Sequence, residues 1–272
     1  IKAANKYGSA NCTKRLVTLP VVKSFRSFIR GHYTTNEHDF PLSNKKKLIF
    51  PFVQSISLER IRISSIEITE LGDDFLEVLK NNPNIVDHIH IPLQAGSDHI
   101  LELMNRRGNK NYLRNLFKRI REKCPNAVLR TTVMVGFPGE TEDDFKGLLN
   151  FIEEIEFDHL GCFAYSREEE TPAYNFPNQV DEEIKKKRLD EVMKLQQKIS
   201  YRKNKLHIGE IMEGLVVGTD HDYYCLRSYW NAPDDVDGKI LFKSNSKIEI
   251  GQKAKVKITA AFVYDLLGEA IL

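Results

Sequence analysis

The sequence predicts an α/β domain, a partial (βα) barrel with a parallel sheet, followed by a small all-β, OB-like barrel. Three observations predict it. Between Ile61 and Tyr165, strand-like runs alternate with helix-like runs on short connectors, which is the βα repeat. A charged helical stretch then covers roughly Asp181–Tyr201. After Gly209 come short alternating strands separated by Gly and Asp clusters.

The elements follow in order. Residues 1–47 mix basic residues, aromatics and turn formers, with one strand near Leu16–Val22. Ile61–Ile66 alternates like a strand. Asp73 or Asp74 caps a helix through Leu79, and Asn81-Asn82-Pro83-Asn84 ends it. Ile85–Leu93 is a second strand. Ser97 caps a helix through Met104, which Gly108 stops. A helix over Tyr112–Lys123 and a strand over Ala127–Val135 come next. Thr141 and Asp144 resemble a capping box before Phe145–Ile155, and Phe157–Tyr165 is a fourth strand. Ile184, Leu189, Val192, Met193, Leu195 and Ile199 give the long helix its packing face. Met212–Val217, Tyr223–Leu226, Lys239–Phe242 and Lys253–Ile258 are the strands of the small barrel.

Composition excludes several classes. The 272 residues carry a formal net charge of +2, so the whole chain is no obvious polyanion binder. The charge is uneven: residues 1–47 hold 10 Lys+Arg against 2 Asp+Glu, whereas residues 201–272 hold 10 against 10. Four scattered cysteines without a CxxC pair exclude a disulfide framework. No apolar run reaches transmembrane length, and there is no signal-peptide stretch. The expectation is a cytoplasmic chain with no membrane partner. The missing initiator Met suggests a start within a gene or domain.

Active groups of a parallel sheet collect at the carboxyl ends of its strands. Those ends carry Ser64-Ser65-Ile66-Glu67, Pro92–Ser97, Gly136–Glu140 and Tyr165–Glu168. Gly136-Phe137-Pro138-Gly139-Glu140 suits close backbone approach to a nucleotide-like ligand at a helix start, and suits a tight βα turn equally well. Gln94 offers a donor and acceptors, Glu67 a carboxylate for a ribose hydroxyl or an amine. His88 and His90 share one strand face, but no third metal ligand stands nearby. Cys124 and Cys162 read as helix-end and core residues. Lys185, Lys186, Lys187 and Arg188 read as a solvated helix face. Trp230 with Asp234, Asp235 and Asp237 suits a basic protein partner, or is an ordinary hairpin connection.

Several long strings together resemble the radical-SAM methylthiotransferase family. They are Arg62–Glu67, His90–Asp98, Met104–Arg107, Leu129–Thr141 and Ala164–Glu169 with Thr171-Pro172-Ala173. Phe157–Gly161, Arg227–Gly238 and Tyr264–Glu269 resemble its RimO branch, which modifies a ribosomal protein. The resemblance implies a partial radical-SAM barrel followed by a TRAM domain. It implies S-adenosylmethionine and [4Fe–4S] clusters as cofactors, and hydrogen abstraction from an unactivated carbon by a 5′-deoxyadenosyl radical. The target implied is an aspartate β-carbon of a basic small-subunit ribosomal protein. Glu67, Gln94, Thr132, Gly136, Phe137, Pro138, Gly139 and Glu140 match the cofactor pocket, Arg106 a motif position without a derived role, and Tyr229, Trp230, Asp234, Asp235 and Asp237 the partner side. The strings around Ser64–Glu67 and Leu93–Asp98 also resemble the branch acting on threonylcarbamoyl-adenosine in tRNA, so tRNA is the runner-up partner.

The chain departs from the family at its cluster motif. The family ligates its cluster through CxxxCxxC, whereas Cys12-Thr13-Lys14-Arg15-Leu16-Val17-Thr18-Leu19 keeps the spacing with Leu16 and Leu19 in place of two cysteines. Leucine cannot ligate iron. Tyr33–Ile61 is also short for the expected helix and strand. The expectation is a degenerate cluster region over 1–47, a partial barrel over 48–203 and a TRAM domain over 204–272, with impaired catalysis and a ribosomal-protein-binding remnant as an alternative. Unpaired sheet edges in an incomplete barrel predict marginal stability.

Overall fold

The structure is a computed structural model that describes residues 60–63, 65–232 and 237–271, and the backbone of 17–19. Cys12, Leu16, Asp234 and Asp235 lie outside the described residues.

Strands β1 (Val17–Leu19) and β2 (Ile61–Ile63) pair in parallel. A lone bridge from Ile61 to Ile85 and the Ile66 N–H donating to the His90 carbonyl at 2.9 Å join β2 to β3 (His88–Gln94). Parallel pairing continues through β4 (Val128–Val135) and β5 (His159–Ala164). Alternation sets the two faces. Ile89, Ile91, Leu93, Leu129, Val133, Val135 and Leu160 join the main core with the helices. His88, His90, Arg130 and Thr132 therefore face the other, concave side.

Helices α1 (Asp73–Asn81), α2 (Asp98–Leu103), α3 (Lys110–Lys123), α4 (Glu142–Ile155) and α5 (Glu182–Leu206) follow the expected order. In α3, Leu113, Leu116, Phe117 and Ile120 recur at helical spacing and are buried, each stabilising by about 1.5–3 kcal/mol. The Ser97 side chain accepts from the Ile100 N–H, and both halves of the Thr141–Asp144 capping box form. Two boundaries differ from expectation. The N-cap of α1 is Gly72, with Asp73 and Asp74 in the first turn, where they favour the positive end of the helix dipole. The end of α2 comes at Leu103, before Gly108.

Strands β6 (Ile211–Asp220), β7 (Tyr223–Arg227), β8 (Ile240–Lys243), β9 (Lys253–Ala261) and β10 (Leu266–Ile271) close a barrel in the order β10-β8-β7-β6-β9. β10 adds a fifth strand to the four expected. Closure leaves this sheet no free edge. Met212, Val216, Leu226, Ile240, Phe242, Val256, Ile258 and Leu266 fill its core. Among the described residues no helix is long and apolar enough to cross a membrane.

Candidate functional site

The carboxyl ends of β2, β3 and β4 form one mouth. Gln94 ends β3 with φ +69°, a left-handed conformation uncommon outside glycine, beside a register shift between Ile91 and Gln94. The loop after β4 turns at Gly136 (φ +73°) and Gly139 (φ +89°). Only glycine takes such angles without strain. Glu67 is exposed on the rim, where Arg106 Nη1 donates to it at 3.3 Å. Arg106 Nη2 also donates to the Pro92 carbonyl at 2.6 Å. Arg106 thus ties the rim carboxylate to the end of β3.

Glu140 turns away from the mouth. Its carboxylate, 3% exposed, accepts from the Gly136 N–H at 2.6 Å and from Arg188 Nη1 at 2.7 Å. Burial raises its pKa above the usual carboxylate range, against the opposing pull of Gly136 and Arg188. Lys185 packs behind Gly136, where an added Cβ would meet Lys185 Cγ at 2.2 Å. The expected solvated face is therefore half wrong: Lys186 and Lys187 are exposed, but Lys185 and Arg188 are buried. They reach past the apolar stripe to the loop. Ile184, placed on the packing face by its periodicity, is 45% exposed instead. Phe137 packs edge-on against Tyr165 and Phe176, and Pro138 is buried, so both brace the loop from inside.

Thr132 lies lower on the concave face. Its hydroxyl contacts His90 Nε2 at 3.1 Å, and His90 Nδ1 contacts Ser65 Oγ at 2.9 Å and Arg130 Nη1 at 3.3 Å. Burial and then the Arg130 charge lower the His90 pKa to about 4. Arg130 Nε donates to Asp237 at 2.8 Å.

Below this ladder the loop after β7 seals the sheet to the small barrel. Arg62 Nη2 donates to the carbonyls of Ser228 and Asn231 at 3.2 and 2.9 Å. His88 Nδ1 donates to the Tyr229 carbonyl at 3.1 Å, and His159 Nε2 to the Trp230 carbonyl at 2.9 Å. The two imidazoles stack 5.7 Å apart, and Trp230 lies between His159 (4.8 Å) and His207 (4.2 Å). Trp230 and Asp237 are buried, at 5% and 6% exposure. In this arrangement their side chains are inside the seam, out of reach of a protein partner. Tyr229 is half-buried, and its hydroxyl donates to Glu210 at 2.7 Å; burial first, and then this bond, raises its pKa.

The seam predicts a pH dependence. Burial, then Arg62, holds the His88 pKa well below 6.5, and burial lowers that of His159. The unfolded chain takes up these protons below about pH 6.5 while the folded chain resists them. Stability is then full above about pH 6.5 and falls as pH drops below it, by up to about 1.4 kcal/mol per pH unit for each group. Urea unfolding at pH 7.5 and 5.0, followed through Trp230, the sole tryptophan, reads this directly. An unchanged midpoint would exclude neutral histidines in the seam.

His88 and His90 serve the seam and the ladder separately. Among the described residues no group of three His, Cys, Asp or Glu could hold a metal ion. Cys124 and Cys162 are free, and burial raises both pKa values, that of Cys162 to about 12. Both are protonated thiols at neutral pH and so poor ligands and nucleophiles.

The comparisons agree with this architecture. Residues 25–152 match the Radical SAM superfamily, and residues 208–271 the TRAM domain. Relatives described as "Ribosomal protein uS12 methylthiotransferase RimO" are 39% identical over 241 residues in Clostridioides difficile (strain 630), covering 87% of this chain and 54% of the relative. The Clostridium kluyveri relative is 42% identical over 238 residues, covering 86% and 53%. That of Pelotomaculum thermopropionicum is 44% identical over 205 residues, covering 74% and 46%. The chain spans about half the length of these relatives. A parallel sheet with its loop mouth, a closed small barrel docked below it and this shared sequence make the chain a member of the radical-SAM methylthiotransferase family, RimO-like in type.

Proposed function

We propose that this chain is the S-adenosylmethionine-binding sheet and TRAM barrel of a RimO-type methylthiotransferase, cytoplasmic, with a basic small-subunit ribosomal protein as partner. The observation that carries the reading is the mouth: left-handed backbone at Gln94, Gly136 and Gly139 beside the exposed Glu67 carboxylate, at the ends of neighbouring parallel strands. These residues fit an adenosyl sulfonium. Glu67 suits an ammonium or ribose hydroxyls, Gln94 a polar edge, and the glycine loop permits close approach. Glu140, Lys185 and Arg188 act behind the loop as its supports. When bound, the cofactor supplies the methyl group and the 5′-deoxyadenosyl group of the family's chemistry.

The [4Fe–4S] cluster does not fit the donor set. Cys12 stands with Leu16 and Leu19 at the other two motif positions, and the described cysteines are scattered and buried or half-buried. The chain's own residues at the mouth bind and orient the cofactor. The division at 48–203 and 204–272 follows the same reading. A tRNA partner is favoured less. Lys253, Lys255 and Lys257 line the outer face of β9, but Glu213 and Glu269 stand opposite Lys255 and Lys257, so the face is no basic stripe.

Calorimetric titration with S-adenosylhomocysteine tests the mouth. Glu67→Gln and Gln94→Ala should each weaken binding about tenfold, the loss of roughly one hydrogen bond of 1–1.5 kcal/mol. Absence of saturable binding, or wild-type affinity in both variants, would overturn the reading. Co-purification with small-subunit ribosomal protein rather than tRNA would support the partner assignment.

A further inference from the structure

Between β5 and α5 the chain passes through Thr171-Pro172-Ala173, a string to which the functional reading assigns no role. This segment is tied together from within. Thr171 Oγ1 donates to the Glu168 carbonyl at 2.7 Å, and Pro172 opens a short 3-10 turn (Pro172–Asn175). Arg167 Nε donates to the Tyr174 carbonyl at 2.8 Å, with its guanidinium 4.4 Å from the centre of the Tyr174 ring. One side chain holds the end of the turn. The half-buried Gln179 donates through Nε2 to the carbonyls of Ala173 and Phe176, at 3.1 and 3.0 Å. Two non-glycine residues, Glu170 (φ +67°) and Asn178 (φ +58°), take left-handed backbone. Such residues persist only where their surroundings impose the conformation.

What the segment grips is the loop of the mouth. The Gly139 N–H donates to the Asn178 carbonyl at 2.9 Å, and Phe176 packs edge-on against Phe137 at 6.1 Å. These two contacts fall on either side of Pro138, while Lys185 and Arg188 brace the loop from behind at Gly136 and Glu140. Gln179 follows Asn178 directly, and the carbonyl that Gly139 uses belongs to the planar peptide joining them. With the Gln179 amide committed to two carbonyls of the turn, that peptide is held in one orientation.

We propose that residues 166–181 form a strap that sets the shape of the mouth, with Gln179 as a positioning residue acting through the Asn178 carbonyl on Gly139. Its effect on ligand binding rests on the reading of the mouth as an adenosyl site. Gly139 turns at φ +89°, and its N–H bond to the strap fixes that turn beside the ligand space.

Amide hydrogen exchange and calorimetry on the full chain test the strap, with S-adenosylhomocysteine as the probe. In the unaltered chain the Gly139 N–H should exchange about tenfold or more slowly than in a free peptide. Gln179→Glu keeps the size of the side chain and, ionised at pH 8, removes its donors. It should speed Gly139 exchange and weaken S-adenosylhomocysteine binding, each about tenfold, with the urea midpoint little changed. Gln179→Lys supplies N–H donors to the same carbonyls and should stay within about threefold of the unaltered chain on both counts. Free-peptide exchange at Gly139 in the unaltered chain, unchanged affinity in Gln179→Glu, or equal losses in Gln179→Glu and Gln179→Lys would each overturn the proposal. Exchange in the unaltered chain decides even where a variant fails to fold. The functional reading fails separately. Without saturable binding in the unaltered chain that reading falls, and exchange at Gly139 across the variants still decides the strap.

Discussion

Arg188→Met lowers the unfolding free energy by about 3–5 kcal/mol in urea titration at pH 8, because it strips a buried carboxylate of its counter-charge. Arg188 and Glu140 are 7% and 3% exposed, and Arg188 donates to both the carboxylate and the main-chain carbonyl of Glu140. Without Arg188, only the Gly136 N–H remains on that carboxylate. Burial already holds the Glu140 pKa above the usual carboxylate range. The lone carboxylate escapes its penalty by taking a proton, so the loss should be smaller at pH 5 than at pH 8. Adding Glu140→Gln to Arg188→Met should restore part of the loss, since the uncompensated charge is gone. A single-variant loss below about 1 kcal/mol would mean that the pair does not hold the loop. S-adenosylhomocysteine affinity should fall with stability in Arg188→Met, because the variant frees the loop whose glycines shape the mouth.

Anaerobic reconstitution with iron and sulfide leaves the chain without stoichiometric iron and without the thiolate-to-iron absorbance band. The physical reason is ligand count: Leu16 and Leu19 offer no lone pair, and one thiolate at Cys12 cannot hold a cubane cluster. The described cysteines, Cys124, Cys162 and Cys225, do not substitute, since among the described residues no three potential ligands converge. Leu16→Cys with Leu19→Cys restores the CxxxCxxC spacing and should take up about four irons per chain. Iron at that level in the unaltered chain would overturn the reading of Leu16 and Leu19, and radical chemistry would become open to it. No iron in either form would place the obstacle in the fold rather than in the two side chains.

What the sequence determined by itself is local. Periods of two and of 3.6 residues located the sheet strands and helices, because each element buries one face. Caps at Ser97 and Thr141 were legible because their partners lie three residues away. The glycines at 136 and 139 announced left-handed turns. The strand β10 was harder to see, since it is short and interrupted by Gly268. What only the tertiary structure decided is where polar groups go when buried. The inner face of α5 uses Lys185, Arg188, Gln196 and Asn204 among its apolar residues. An apolar-period argument assigns such residues to solvent. Their partners, such as the Phe157 carbonyl for Gln196 and Trp230 Nε1 for Asn204, come from other elements. The seam is the extreme case. Arg130 and Asp237 meet across 107 residues of sequence, and Arg62 reaches the carbonyls of 228–231 across still more. Aspartates beside an aromatic look like an exposed partner surface until the fold brings the half-buried Arg130 to Asp237. Long-range charge pairing leaves no period in the chain, so only the folded contacts could place Asp237 and Trp230 inside.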